Sequence, residues 1–353
     1  MIVYVLIVYK QMKLVQTINL GYDKNNILTF SNDGDLKKNL APFLADLKNI
    51  PGVLNASSQN GNFLGMTSHG GSGISWQGKD PGLGIEYYGN DVGYDFFETM
   101  GLQMAEGRPF ARQFSDTSSV IFNETAIRAM GLKNPIGKTV SLWSEKKVIV
   151  GVVKDYHFKS LYEKITPSFL VCGQNNETTL VRIKAGTERQ TIAQIKDLFN
   201  KYNHGLDFTY SFLDDDYNKL YASEQRVAIL SKYFAAIAIL ICCLGLFGLA
   251  AFTAQKRQKE IGIRKVIGAS VGNVVTMLSI NFLALVCLAL LIAIPASWWA
   301  ANLWLRSFAY RININPLIFV ITAVVVVFIT LITISFQSIK AAIANPVKSL
   351  RSE

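Results

Sequence analysis

Acidic residues almost vanish from the last third of this 353-residue chain. After Tyr233 there are two, Glu260 and Glu353, against ten Lys and Arg, whereas the residues before it carry 25 basic and 23 acidic side chains. The formal net charge of +10 therefore belongs to the C-terminal third. A nucleic-acid groove needs its basic residues on a soluble face, and here they lie between and beside apolar runs, so nucleic acid is not an expected partner. Cysteine is scarce too. Cys242, Cys243 and Cys287 fall in apolar runs, which leaves Cys172 alone in the rest of the chain and excludes both a disulfide there and metal-type spacing. His69, His157 and His204 are scattered singly and read as solvated or core histidines. No Ser/His/Asp or Cys/His constellation emerges, so no catalytic residue, metal or cofactor is expected.

One stretch imitates a nucleotide loop. "GLKNPIGKT" (131–139) approaches G-x-x-x-x-G-K-[ST], in which backbone N–H groups cradle phosphates. Five residues separate Gly131 from Gly137, and one of them is Pro135, which has no N–H. A helix pattern precedes it and strand patterns follow. The expected structure is a glycine helix cap and a proline turn into a strand.

What the chain has in plenty is hydrophobic residues, half of the total with only 17% charged. That balance suggests a two-part molecule, partly in a membrane. Tyr233–Gln255 has no charge in 23 residues, enough to cross about 30 Å of hydrocarbon. Val266–Leu305 has none in 40, too long for one straight span, and reads as a span from about Val274 to Ala293. Pro295, Trp298, Trp299 and Trp304 then settle at the far interface. Ile312–Ile339 supplies a third span. Lys256, Arg257, Lys259, Arg264 and Lys265 follow the first span, and Lys340, Lys348 and Arg351 follow the third, whereas only Arg306 and Arg311 lie between the second and third. This asymmetry places the first loop and the C-terminus in the cytoplasm and everything before Tyr233 outside.

The outer part alternates helix and strand patterns, as small α/β subdomains do. Leu36, Leu40, Phe43, Leu44 and Leu47 share helical spacing, as do Ile192, Ile195, Leu198 and Phe199. "SSVIFNETAIRAMG" reads as strand then helix, and "KKVIVGVVKDY", "TTLVRIKA" and "LDFTYSFL" read as strands. The Gly-rich piece 60–78 reads as a mobile loop. From "DDDYNKLYASEQRVAILSKYF" a helix pattern runs without a breaker into the first span. "MIVYVLIVY" reaches only about 14 Å as a helix, too short to span, and lacks a signal peptide's basic flank and cleavage site.

In this order the motifs resemble MacB/FtsX-type permeases, the type VII ABC transporters. "VGYDFFETMGLQMAEGRPF" (92–110), "VIFNETAIRAMG", "NPIGKTV" and "VIVGVVKDYHF" resemble the family's periplasmic core domain. "QKRQKEIGIRKVIGAS" (255–270) resembles its cytoplasmic loop, and "AAIANPVKSLRSE" its C-terminal tail. The Lys and Asn content and the opening apolar run resemble the long two-repeat permeases of Bacteroidetes, of which this would be the second repeat, opening on the end of a truncated membrane helix.

The implied fold class is an α-helical membrane protein with a large extracytoplasmic mixed α/β domain. Its expected parts are the end of a helix (1–16), an extracytoplasmic domain (17–222), a stalk and span (223–255) and a cytoplasmic coupling segment (256–270). A span with an interfacial segment (271–305), a short outer loop (306–315), a span (316–339) and a cytoplasmic tail (340–353) complete it. The resemblance implies no ATPase activity in this chain, a cytoplasmic ABC ATP-binding subunit as partner, and an upstream half or second permease subunit. It also implies a bacterial inner-membrane location with the large domain in the periplasm, and leaves room for a periplasmic adaptor. Alternatives are a regulator that activates a cell-wall hydrolase, and a membrane-anchored enzyme.

Within 255–270, Ile263, Val266 and Ile267 form an apolar stripe, Glu260 and Arg264 form an i,i+4 pair, and Gly268 can cap the end. From these residues alone, docking in a groove of a cytoplasmic partner and lying on anionic lipid remain open. The resemblance favours coupling to an ATPase through Arg257, Glu260, Ile261, Ile263, Arg264, Lys265, Val266, Ile267 and Gly268.

Overall fold

The computed structural model describes residues 2–65, 68–173 and 176–343. The chain divides into two compact units, Ile18–Ala222 and the combination of Met1–Thr17 with Ser223–Glu353. The tail motif from 344 onward, with Lys348 and Arg351, lies outside the described residues.

The second of these units opens with α1 (Ile2–Thr17). The α/β unit then runs through β1 (Ile27–Ser31), α2 (Leu40–Lys48), β2 (Val53–Gln59), β3 (His69–Gly71), β4 (Ile74–Trp76) and β5 (Tyr87–Val92). It continues with α3 (Phe96–Met100), β6 (Met104–Gly107), β7 (Ser119–Asn123), α4 (Glu124–Met130), β8 (Thr139–Leu142) and β9 (Glu145–Val153). Last come β10 (Ser168–Cys172), β11 (Thr178–Ile183), α5 (Glu188–Tyr202), β12 (Ser211–Phe212) and α6 (Leu213–Leu220). The strands join in the order β12-β1-β11-β2-β5-β10-β7-β9-β8-β4, with β3 on β5 and β6 on β9.

Two cores serve this sheet. Leu28 and Phe30 of β1, Ala56 of β2 and Val181 of β11 pack against Leu40, Phe43, Leu44 and Leu47 of α2 and Ile195 and Phe199 of α5. Val120 and Phe122 of β7, Ile149 of β9 and Phe169 of β10 pack against Ala126 and Met130 of α4. Period-2 and period-3.6 apolar spacing meet at each interface, which is why the sequence pattern located these elements. Ile192 and Leu198 of α5 are only partly buried at the rim of the first core.

Side-chain hydrogen bonds explain why the motifs belong together. Asn123 caps α4, its Oδ1 accepting from the N–H groups of Ala126 and Ser168 at 2.9 Å each. Asp155, just beyond β9, accepts from the N–H and hydroxyl of Thr125 at 2.8 Å each, and the Asp155 N–H donates to Glu124. The parallel β7–β9 pair is thus tied at the end where α4 begins. Arg108 holds the buried Asp116 through two bonds of 2.7 and 2.8 Å, and Ala111 N–H and Ser119 Oγ donate to the same carboxylate. The nucleotide-loop imitation resolves as ordinary chain geometry. Gly131 caps α4 at φ +66°, Gly137 N–H donates to Ile149 O at 2.8 Å, and Lys138 Nζ donates to Lys133 O.

Three expectations need correction here. The Gly-rich stretch 60–78 is not all loop, since β3 pairs with β5 and β4 with β8. Glycines mask strand periodicity, and the fully buried Ile74 is what anchors β4. Only Ser211–Phe212 of "LDFTYSFL" is strand. Phe208 is held instead by ring contacts with Phe30 and Phe199 at 5.2 and 5.1 Å. Finally, the helix pattern into the first span is interrupted at Tyr221, with φ −115° and ψ 16°. The Tyr221 ring is buried beside Tyr217, and its hydroxyl accepts from Leu161 N–H at 2.7 Å.

The helical unit consists of α1 with α7 (Ala222–Lys256), α8 (Gln258–Val266), α9 (Val271–Leu305) and α10 (Leu317–Ile343). Helices α7, α9 and α10 are long and apolar enough to cross a membrane, and large side chains such as Leu240, Leu291 and Phe328 stand exposed along them. Helix α9 continues through Pro295 to Leu305, so the segment expected at the far interface is helical and continuous with the expected span. Proline removes the bond that would reach Leu291 O and is tolerated in membrane helices; Ser297 Oγ makes a separate local bond to Ile294 O at 2.9 Å. Helix α1 packs through Val3 and Ile7 against Ala301, Leu305 and Ile318. Fully buried Gln11 donates to Tyr310 O and accepts from Ile312 N–H, both at 2.9 Å, fastening α1 to the segment between α9 and α10.

Candidate functional site

The α7–α8–α9 corner is built by local rules. After Lys256 the chain barely breaks, since Arg257 N–H still reaches Thr253 O and Ile261 N–H reaches Arg257 O, at 3.1 and 3.0 Å. Ile261 is buried and packs with Ala254 of α7 and Val274 and Leu278 of α9. Ile261 was expected to belong with the coupling contacts; it faces inward and anchors α8. Gly262 beside it is buried as well, and Arg257 is half-buried.

Opposite that anchor, Ile263, Val266 and Ile267 are 52%, 70% and 79% exposed. Spaced i, i+3, i+4, they share one face of the helix. Arg264 Nη2 donates to Glu260 Oε1 at 2.9 Å, an exposed ion pair that supports a short helix only modestly. Lys265 occupies the following helical position.

The end of α8 is a glycine stop. Gly268 has φ +97°, Ile267 N–H donates to Ile263 O, and Ala269 N–H donates to Arg264 O at 2.9 Å. The last of these is the 6→1 bond of a Schellman ending. Ser270 then caps α9, its Oγ accepting from Asn273 N–H at 3.3 Å. Between the two helix ends lies a cavity of about 440 Å³, lined by Arg264, Ile267, Gly268, Asn273, Val274 and Met277 among others. Sequence reading had no access to this concavity, because it needs the angle set by Gly268 and Ser270.

The site therefore offers an anchored helix, an exposed apolar stripe, a fixed ion pair and an adjoining hollow. Among the described residues, no group of three or more His, Cys, Asp or Glu could hold a metal.

The corner lies within a stretch that matches a known family. Residues 233–346 match the FtsX-like permease C-terminal family. The chain is 24% identical over 209 residues to the macrolide export ATP-binding/permease protein MacB of Chromobacterium violaceum, covering 56% of this chain and 32% of that protein. It is 25% identical over 236 residues to MacB of Neisseria gonorrhoeae, covering 63% and 36%. It is 26% identical over 198 residues to the probable syringafactin export ATP-binding/permease protein SyfD of Pseudomonas syringae pv. tomato, covering 51% and 29%. The chain thus spans about a third of the length of these relatives. Among solved structures it is similar to the periplasmic region of MacB from Actinobacillus actinomycetemcomitans, with 18% identity and a TM-score of 0.41, covering 58% of this chain and 97% of that one. Residues 233–346, which hold most of the three apolar helices, thus carry an FtsX-like permease C-terminal domain, in a chain homologous to MacB proteins over a little more than half its length.

Proposed function

We propose that the chain is the permease part of an export-type ABC transporter, in which α8 receives nucleotide-driven motion from a cytoplasmic ATP-binding partner. The motion passes through α7 and α9 to drive conformational change in an extracytoplasmic domain, residues 17–222. The observation that carries this reading is the two-sidedness of α8. Ile261 fixes it to α7 and α9, while Ile263, Val266 and Ile267 present apolar surface on the opposite face. A helix meant only to connect two spans gains nothing from three exposed aliphatic side chains beside an ion pair. Names of the matched relatives, which join an ATP-binding part to a permease part and specify export, support the same assignment. The working location is a bacterial inner membrane, with an upstream half or second permease subunit and an extracytoplasmic adaptor as further partners.

The test is recovery of the ATP-binding partner with the permease. Ile263→Ala removes apolar contact worth ~1–3 kcal/mol if fully buried in the complex, which weakens docking about five- to over a hundredfold. Glu260→Lys places like charges at i,i+4 and removes the pairing with Arg264. Both variants should insert normally and lose the ATP-binding partner. If α8 merely lies on anionic lipid, Glu260→Lys would strengthen membrane binding and both variants would recover that partner as wild type does.

A further inference from the structure

Alternation along the strands gives one end of the sheet two faces of opposite character. Leu28, Phe30, Ala56 and Val181 point into the core under α2 and α5. On the other face the register sets Ser211 beside Thr29, and aligns Ser31, Thr178 and Gln59 in one row across β1, β11 and β2. These five side chains line a cleft of about 310 Å³, joined by Tyr210 and by Asp216 of α6. That volume is at the lower end for small-molecule sites, ~300–1,000 Å³.

Gln59 is the informative residue. Its side chain lines the cleft yet is only 1% exposed, and its Oε1 has no hydrogen-bond partner among the described residues. An unpaired buried amide oxygen costs free energy, and a donor supplied by a ligand would remove that cost. The neighbours are arranged but not exhausted. Thr29 Oγ1 and Ser211 Oγ are 2.9 Å apart, Ser211 Oγ donates to Asp216 at 2.6 Å, and Thr178 Oγ1 donates to Gly61 O at 3.0 Å. Ser31 is exposed, and the Tyr210 ring is about half exposed.

The chemistry of the lining narrows the ligand. It includes no Lys or Arg to hold an anion. Its one carboxylate, Asp216, already accepts from Lys219 Nζ at 2.8 Å, which neutralises the attraction for a cation. An apolar ligand would leave Gln59 Oε1 without a partner. A neutral molecule presenting hydroxyls at fixed spacing, with one flat C–H face for Tyr210, supplies a donor to Gln59 Oε1 and can share the lone pairs and hydroxyl of the row beside it. Adjacent strands lie about 4.8 Å apart, close to the separation of hydroxyls on alternate carbons of a pyranose ring. We propose that this cleft binds a neutral saccharide of one or two rings, with Gln59 Oε1 accepting from a sugar hydroxyl. The proposal is independent of the role of α8, and neither fails with the other.

Saturation-transfer NMR on the full chain in lipid nanodiscs, with maltose, N,N′-diacetylchitobiose and mannobiose as probes, tests it. At least one disaccharide should receive saturation, and inorganic phosphate should not compete. Gln59→Leu removes the unpaired oxygen, so it should abolish the signal while raising the melting temperature of the free protein. Ser31→Ala, at a solvent-facing position, should keep the wild-type melting temperature; it and Tyr210→Ala, which also gives up ring contacts with Phe208 and Phe212, should weaken binding about tenfold each. Absence of transfer to all three sugars, or transfer that survives unchanged in the Tyr210 and Ser31 variants, overturns the assignment.

Discussion

At the residue scale, His69 shows how a lone histidine becomes a structural group. Its Nε2 lies 2.9 Å from Asp91 Oδ2, an oxygen that also accepts from Asn60 at 3.2 Å. The hydrogen bond to Asp91 raises the His69 pKa above its ordinary value; partial burial and Lys147 oppose this, and Glu145 assists it. For Asp91, burial pushes upward, but bonds from His69, Asn60 and Ser68 win and hold the carboxyl below its usual range. A histidine whose folded-state pKa is raised contributes stability that is full below its unfolded value and is lost as pH rises through the folded value. The His69 contribution to thermal stability should therefore fall as pH rises from about 6.5, where an unperturbed His titrates, through the raised folded-state value. In His69→Gln the fall should be shallower. Melting temperatures measured across that window check it, and parallel curves for the two proteins would contradict it. Reading His69 as solvated or core missed the pair because Asp91 reaches it only through the β3–β5 ladder.

At the element scale, the ending of α8 decides whether the exposed apolar stripe is presented on a formed helix. Gly268 at φ +97° occupies a conformation that side chains resist, by ~1–2 kcal/mol in the left-handed region. Gly268→Ala should loosen the last turn without touching the stripe. Hydrogen–deuterium exchange should show the Ala269 amide, bonded to Arg264 O in the native turn, losing protection about five- to thirtyfold; unchanged protection would show that the glycine ending is dispensable. Much of this element was legible in the sequence: the Glu260–Arg264 pair, the stripe and the glycine stop all follow from spacing. The direction of Ile261 was not. In a nine-residue helix with apolar residues on two faces, only the positions of Ala254, Val274 and Leu278 decide which face is buried. The same limit hid the Ser31–Thr178–Gln59 row, whose members lie on strands far apart in sequence and meet through register alone. Tyr221 interrupts its helix through burial of its ring, a tertiary effect with no signature in local propensity.

For the whole molecule, apolar length and basic asymmetry are separate physical signals. Helices α7 and α9, each 35 residues, would extend about 52 Å at 1.5 Å per residue, well beyond the hydrocarbon core of about 30 Å. Their ends therefore reach out of the membrane, α7 running directly into the α8 corner. Lys256, Arg257, Lys259, Arg264 and Lys265 cluster there, which is the basis for assigning that corner to the cytoplasm and residues 17–222 to the outside. Coupling to a cytoplasmic ATP-binding partner requires this orientation, so sidedness is the measurement that bears on the account most directly. With Cys172, Cys242, Cys243 and Cys287 replaced, a cysteine introduced by Ser270→Cys should resist an impermeant thiol reagent in intact spheroplasts, and one introduced by Ser118→Cys should react. Labelling of Ser270→Cys with protection of Ser118→Cys would contradict the orientation and the coupling role together.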